Sequence, residues 1–308
     1  MNVRTSIAAL AVGVVLLAGC ARESAEYTPL YGPYPVVSNT TPQYSFGVPA
    51  IRPVRSLWGR YARLIDALNR SSAGFTLKLE SAQTPDTYDA KLRAAVFDFA
   101  IVDPYQVLIA ENLGYGVIAR TGKSDRVSGV VVIARQGDIH RLSDLRSRNI
   151  AFTNTTALAA TLLNEYGLLE SGLDVHKDAL VLYTHSPETS LLNVSIKLMD
   201  AAAVSLSDWE GFQRDHPASA GQLTVLWRSD DLSGPAVMAS SSLPLPHARS
   251  VQTALVQLDA QTSGREALHR AGISRFEPGD SVSYDDVWDF LQRYRRVLGP
   301  LPDRMVAR

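Results

Sequence analysis

The sequence predicts an α/β protein built from consecutive strand–helix units, and three stretches carry that prediction. Ile150 to Leu163, IAFTNTTALAATLL, starts apolar and β-prone, meets a hydroxyl-rich turn, and continues as an Ala/Leu-rich helix. Val181 to Ala203 repeats the pattern with an apolar strand, a turn at Thr184–Ser186, a helix from Pro187 and a second apolar strand. Tyr44 to Ala134 alternates strand and helix periods in a βαβαβ order, as a doubly wound lobe does. Such units join by right-handed crossovers, which set the helix N-termini along the carboxyl edge of a parallel sheet.

The chain opens with Arg4 and an apolar run from Ile7 to Leu17, too short for a comfortable membrane span. The run ends in Leu17-Ala18-Gly19-Cys20, which resembles a bacterial lipoprotein signal. That resemblance implies a signal peptide over 1–19 and a lipid on Cys20, the single cysteine of the chain. The mature protein then has no disulfide, and its fold rests on its core. Residues 20–43 hold the lipidated Cys and a Pro-, Tyr- and Ser-rich tether without apolar period. The chain has 308 residues, 46% hydrophobic and 20% charged, which suits two lobes or one large α/β unit. A formal net charge of −1 gives no sign of a nucleic-acid partner.

Strands are expected at Tyr44–Val48, Phe75–Leu79, Phe99–Val102, Tyr115–Ala119 and Gly129–Ala134. Helical spacing links Leu57, Tyr61, Leu64, Ile65 and Leu68, then Tyr88, Leu92 and Val96, then Val107 to Asn112. Gly116 to Ser124, GVIARTGKS, has one residue too many between its glycines for a phosphate-binding P-loop, and Val117-Ile118-Ala119 reads as strand. Leu142 and Leu145 mark a short helix before the Ile150 strand, and Asp230 to Pro235 a returning loop before the strand Ala236–Ser240. Leu255 to Leu258 and Ala267 to Ala271 fall on helices. The last helix lines up Tyr284, Val287, Trp288, Leu291 and Tyr294 as a packing stripe. Residues 299–308 form a tail.

The helix start after Asn154, Thr155 and Thr156 leaves amides without intrahelical partners, and with the helix dipole these make an anion cradle or an ordinary capped end. Ser186 before Pro187 is good start chemistry for a second such end, and His185 lies in the same turn. The six histidines (140, 176, 185, 216, 247, 269) show no metal-ligand spacing, and no G-x-S-x-G elbow is present. No catalytic residue, metal site or cofactor is expected.

From Phe46 to Asp286 the chain resembles the periplasmic phosphate/phosphite/phosphonate-binding proteins of ABC importers. The resemblance rests on Phe46-Gly47-Val48-Pro49, DFAIVDP ending at Pro104, Val130 to Ala134 followed by Leu142-x-x-Leu145, Ile150-Ala151-Phe152, and AVMASSSLPLPHARSVQTALVQL with Gly264 and Tyr284-Asp285-Asp286. It implies the two-lobed type II binding-protein fold, each lobe a mainly parallel sheet flanked by helices, with a hinge between. Lobe 1 is then 44–133 plus 236–298 and lobe 2 is 134–235, hinged at Ala134 and near Pro235. A small oxyanion would be held by Asn154, Thr155 and Thr156, closed over by Ser186 and His185, with Tyr105 or Gln106 from the first lobe.

Three motifs depart from the family. Its Ser-Thr-Ser-Gly is Thr155-Thr156-Ala157-Leu158 here, and its Ser-His-Asp is Ser186-Pro187-Glu188. Its helix Tyr position holds Val107, while Tyr105 stands two residues earlier, about 200° around a helix. The implied partner of a monomeric, lipid-anchored periplasmic binding protein is an ABC permease. A sensor kinase served by a co-receptor, or a degenerate member without transport, is the alternative. Ala21 after Cys20 favours the outer membrane in a Gram-negative cell.

Overall fold

In the computed structural model, residues 41–50, 54–72 and 74–301 are described. The expected signal peptide, Cys20, the expected tether as far as residue 40 and residues 302–308 of the expected tail lie outside the described residues.

Two sheets organise the chain. The first has strand order β11-β4-β10-β3-β1-β2, with β1 at Gln43–Gly47, β2 at Thr76–Glu80, β3 at Phe99–Val102, β4 at Tyr115–Thr121, β10 at Ala236–Ser240 and β11 at Phe276–Pro278. The second has order β7-β6-β8-β5-β9, with β5 at Gly129–Ala134, β6 at Asn149–Phe152, β7 at Leu180–Tyr183, β8 at Ala201–Ser205 and β9 at Leu223–Arg228. Each sheet has a parallel part, β2-β1-β3 and β7-β6-β8, completed by antiparallel strands. β3 is buried at every residue, and β5 and β8 at all but the last, so they read as unbroken apolar runs. β2 alternates, because its outer face is exposed. Val117, Ile118 and Ala119 lie within β4, which removes any P-loop there.

Helix α1 (Val54–Ser71) buries Leu57, Tyr61, Leu64, Ile65 and Leu68 against the first sheet. Helix α2 (Pro85–Arg93) stops before Val96, which is 49% exposed rather than on its buried face. Ala95 takes a positive φ of 50° after the helix, and that turn carries Val96 outward. The C-terminal helix α11 (Asp285–Leu298) buries Val287, Phe290, Leu291 and Tyr294. Trp288, expected on that stripe, is 49% exposed, and Phe290 takes its place.

The chain crosses between sheets at residues 122–128 and again at 229–235. The first crossing lies upstream of the Ala134 expected. β5 pairs with β8 on one side and β9 on the other, and therefore belongs wholly to the second sheet. The two crossings pair with each other: Val127 N–H donates to Leu232 O at 2.9 Å and Leu232 N–H returns the bond to Val127 O at 2.8 Å. Asp286 Oδ2 fastens both to α11, accepting from Arg126 Nη2 at 2.7 Å and from Ser233 N–H at 2.8 Å.

Farther along α11, the helix meets α4 (Leu163–Glu170) of the second sheet. The Phe290 ring stands edge-on to Tyr166 at 5.6 Å, and Tyr294 Oη donates to Glu165 Oε2 at 2.6 Å. His176 Nε2 approaches the other Glu165 oxygen at 3.3 Å. Burial raises the Glu165 carboxyl above its ordinary pKa, against the opposing pull of Tyr294 and His176. A carboxyl with a raised folded-state pKa contributes stability at low pH that is lost as pH rises through that value. Glu165→Gln should therefore unfold at higher urea than the parent at pH 8, with the gain shrinking as the pH falls toward the ordinary carboxylate range.

Candidate functional site

The parallel parts of the two sheets aim their carboxyl ends at one cleft of about 500 Å³. Three helix starts line it. Asp103, Pro104 and Tyr105 open α3 (Pro104–Glu111) beyond β3, and Asn154 with Thr156 to Ala160 follow β6. Ser205, Ser207 and Asp208 open α7 (Leu206–Asp215) beyond β8. Arg60 and Tyr61 reach in from α1, and Val127 and Pro235 floor the cleft from the two crossings.

The segment after β6 is tighter than an ordinary cap. Asn154 Oδ1 accepts from the N–H of Thr156 at 2.8 Å and of Ala157 at 2.7 Å. Thr161 Oγ1 donates back to Asn154 O at 2.6 Å. The helix then opens with a π-turn over Leu158–Leu162, in which Ala157 O accepts from both Thr161 N–H (2.9 Å) and Leu162 N–H (3.1 Å). The amides of Leu158, Ala159 and Ala160 precede the first intrahelical donor, so they are the orphan donors of this end. They stand on the cleft wall.

At the α7 start, Ser205 Oγ accepts from Asp208 N–H at 3.1 Å and donates to Asp208 Oδ2 at 2.5 Å. Burial pushes the Asp208 carboxyl above its ordinary pKa, although the Ser205 bonds oppose the shift. Burial likewise raises the Tyr61 phenol, with the neighbouring Arg60 guanidinium pulling it down. Arg60 is the single cationic side chain among the described residues that line the cleft, which Asp103 and Asp208 also line.

The residues expected from the sequence divide. Asn154, Thr156 and Tyr105 line the cleft. The Thr156 amide, counted among anion donors, is committed to Asn154, and Thr155 points outward, exposed. Gln106 is buried away from the cleft, its Nε2 donating to Asp89 and its Oε1 accepting from Asp103 N–H at 2.7 Å. Ser186 caps α6 (Pro187–Ser195) by accepting from Thr189 N–H at 3.2 Å, and His185 is exposed in a turn with φ of 60°. Neither lines the cleft. β7, which feeds that helix, is the outer edge strand, whereas β8 sits next to β5 and the crossings. The second helix end at the cleft is therefore the one after β8.

Sequence reasoning missed Ser205, Asp208, Asp103, Arg60 and Tyr61. A signal existed for two of them: Ser205-x-x-Asp208 directly after the apolar Ala201–Val204 run has capping-box spacing. Arg60 and Tyr61 come from a helix whose pattern reads only as packing. Among the described residues, no group of three or more His, Cys, Asp or Glu could hold a metal ion.

Two lobed sheets around such a cleft define a substrate-binding protein of the periplasmic type. Residues 46–284 match the family model for the phosphonate periplasmic substrate-binding proteins of ABC transporters, and the chain belongs to that family. It is a periplasmic binding protein and not an enzyme. No curated protein matches the chain. Solved structures share its fold. One is a binding-protein component of an ABC phosphonate transporter from Pseudomonas aeruginosa: 17% identity, 83% of this chain and 87% of the other covered, TM-score 0.68. Another is PhnD1 from Prochlorococcus marinus in complex with methylphosphonate: 16% identity, 83% and 99% covered, TM-score 0.70. A third is the chloride-bound XAC2383 from Xanthomonas citri: 20% identity, 82% and 99% covered, TM-score 0.69.

Asn154→Ala removes the acceptor for two amides at once. It should cost about 1 kcal/mol of stability, read as a lower Tm in a thermal melt.

Proposed function

We propose that this protein captures a small phosphorus oxyanion of the phosphate, phosphite or phosphonate kind, and hands it to an ABC importer from a lipid anchor on Cys20. One observation supports the reading above the others: three helix starts converge on one cleft that also receives a guanidinium. Helix N-termini favour anions through their orphan amides and their dipoles, and Arg adds a charge that persists at any physiological pH. The amides of Leu158 to Ala160, the Thr156 hydroxyl and Arg60 are the donors, with Ser205, Ser207 and Tyr105 facing them. Closure turns on the paired crossings at 122–128 and 229–235.

Asp208 sets what else the ligand must carry. An ionised carboxylate repels an oxyanion in the same cleft, whereas it attracts an ammonium group at the ligand's far end. The raised carboxyl of Asp208 is protonated at higher pH than an ordinary aspartate, and so can donate to an oxyanion as the pH falls.

The soluble domain, lacking residues up to Cys20, can be screened by thermal shift with phosphate, phosphite, methylphosphonate and aminoethylphosphonate. A ligand at about a hundred times its Kd adds about 2.7 kcal/mol. A shift with one of them that Thr156→Ala reduces supports the reading, and no shift with any sinks the phosphorus-oxyanion assignment. Asp208→Asn should tighten the binding of a plain oxyanion by about tenfold, or weaken by about tenfold a ligand that also bears an ammonium group.

A further inference from the structure

The π-turn that opens the helix at Leu158 needs an explanation, because π-turns are rare and, where they occur, are frequent at functional sites. The explanation lies one turn farther along, at a residue no part of the cleft touches. Asn164 is wholly buried, at 0% exposure. Its Nδ2 is within hydrogen-bond distance of three backbone carbonyls: Ala159 O at 3.2 Å, Ala160 O at 3.0 Å and Val204 O at 3.1 Å. All three are acceptors, which fixes the orientation of the amide. Two belong to the residues whose N–H groups face the cleft, and the third belongs to β8, one residue before Ser205.

The other end of the side chain is equally constrained. Asn164 Oδ1 has no hydrogen-bond partner and faces the backbone of Gly129, where a Cβ would come within 2.8 Å of it and within 2.5 Å of Ala159 O. The side chain tolerates an unpaired buried acceptor to place its donor on the three carbonyls, and only a glycine at the start of β5 leaves room for it.

We infer that Asn164 is a positioning residue for ligand binding. It ties the π-turn to β8 and so fixes the direction in which the amides of Leu158, Ala159 and Ala160 enter the cleft, relative to the α7 start. The inference rests on the proposed oxyanion site. A leucine here keeps the branching at Cγ, puts methyl groups where the oxygen and nitrogen stand and offers no donor, so the turn loses its tie without gaining a cavity.

The test compares Asn164→Leu with Leu168→Ala, a core truncation one turn farther along the same helix, whose side chain packs with Val131, Ile150 and Leu173. Two readings are taken on the soluble domain: calorimetric titration with methylphosphonate, and amide hydrogen exchange of residues 158–164. Asn164→Leu should weaken methylphosphonate binding by about tenfold or more and speed exchange across the π-turn. Leu168→Ala, with an equal or larger loss of Tm, should leave both near the parent's values. Equal effects of the two variants on both readings would overturn the inference, since Asn164 would then act through stability alone. If the parent protein gives no heat with methylphosphonate, the oxyanion reading fails for that probe. Exchange then decides the positioning role: unchanged protection of the π-turn in Asn164→Leu overturns it.

Discussion

Val127 and Leu232 exchange both of their backbone hydrogen bonds, so the two segments that connect the sheets form one antiparallel pair. That pair fixes which sheet edges can meet. With both crossings held side by side and fastened to Asp286 at the start of α11, the carboxyl end of β3 faces those of β6 and β8. A shared apolar cluster follows the same geometry: Leu158, Leu162 and Leu163 from the second sheet's side pack with Val102, Tyr105 and α11. The cleft is therefore walled by strand and helix ends, with Val127 and Pro235 of the paired crossings at its floor.

The chemistry of the cleft comes from unfinished hydrogen bonding. Each helix start presents amides that have no intrahelical partner, and burial makes an unpaired amide costly. The chain answers differently at each end. Asn154 folds its side-chain oxygen onto two amides after β6, and Ser205 with Asp208 close the start of α7. What remains open, over Leu158 to Ala160, is a narrower donor set than a fully uncapped helix end would give. The ligand proposed for this cleft would have to fit those donors, the Arg60 guanidinium and the Asp208 carboxyl together. Among the described residues that line the cleft, Arg60 is the cation and Asp103 and Asp208 are the acids.

Much of the fold was legible in the sequence because burial on both faces leaves an unmistakable mark. Phe99–Val102, Gly129–Ala134 and Ala236–Ser240 read as strands from their uninterrupted apolar runs and were found at those residues. Helix α6 was legible from Ser186-Pro187, a hydroxyl followed by a ring that fixes φ. Less of the cleft was legible. Asn154, Thr156 and Tyr105 stand on it, whereas Ser186 and His185 read as well by local chemistry and lie elsewhere. A good cap has the same local pattern whether its strand is central or at the edge.

By itself the sequence determined many of the elements, their order and the start chemistry of the helices that follow β6 and β7. Those follow from periodicity and capping, which act over a few residues. Only the tertiary structure decided which starts share a cleft, since strand order depends on pairings between residues far apart in the chain. β8 took the place beside β5 and the crossings and β7 took the outer edge, so Ser205 and Asp208 entered the cleft in place of Ser186. The inward reach of Arg60 and the three-carbonyl grip of Asn164 belong to the same level, because each depends on what neighbouring elements bring within hydrogen-bond distance.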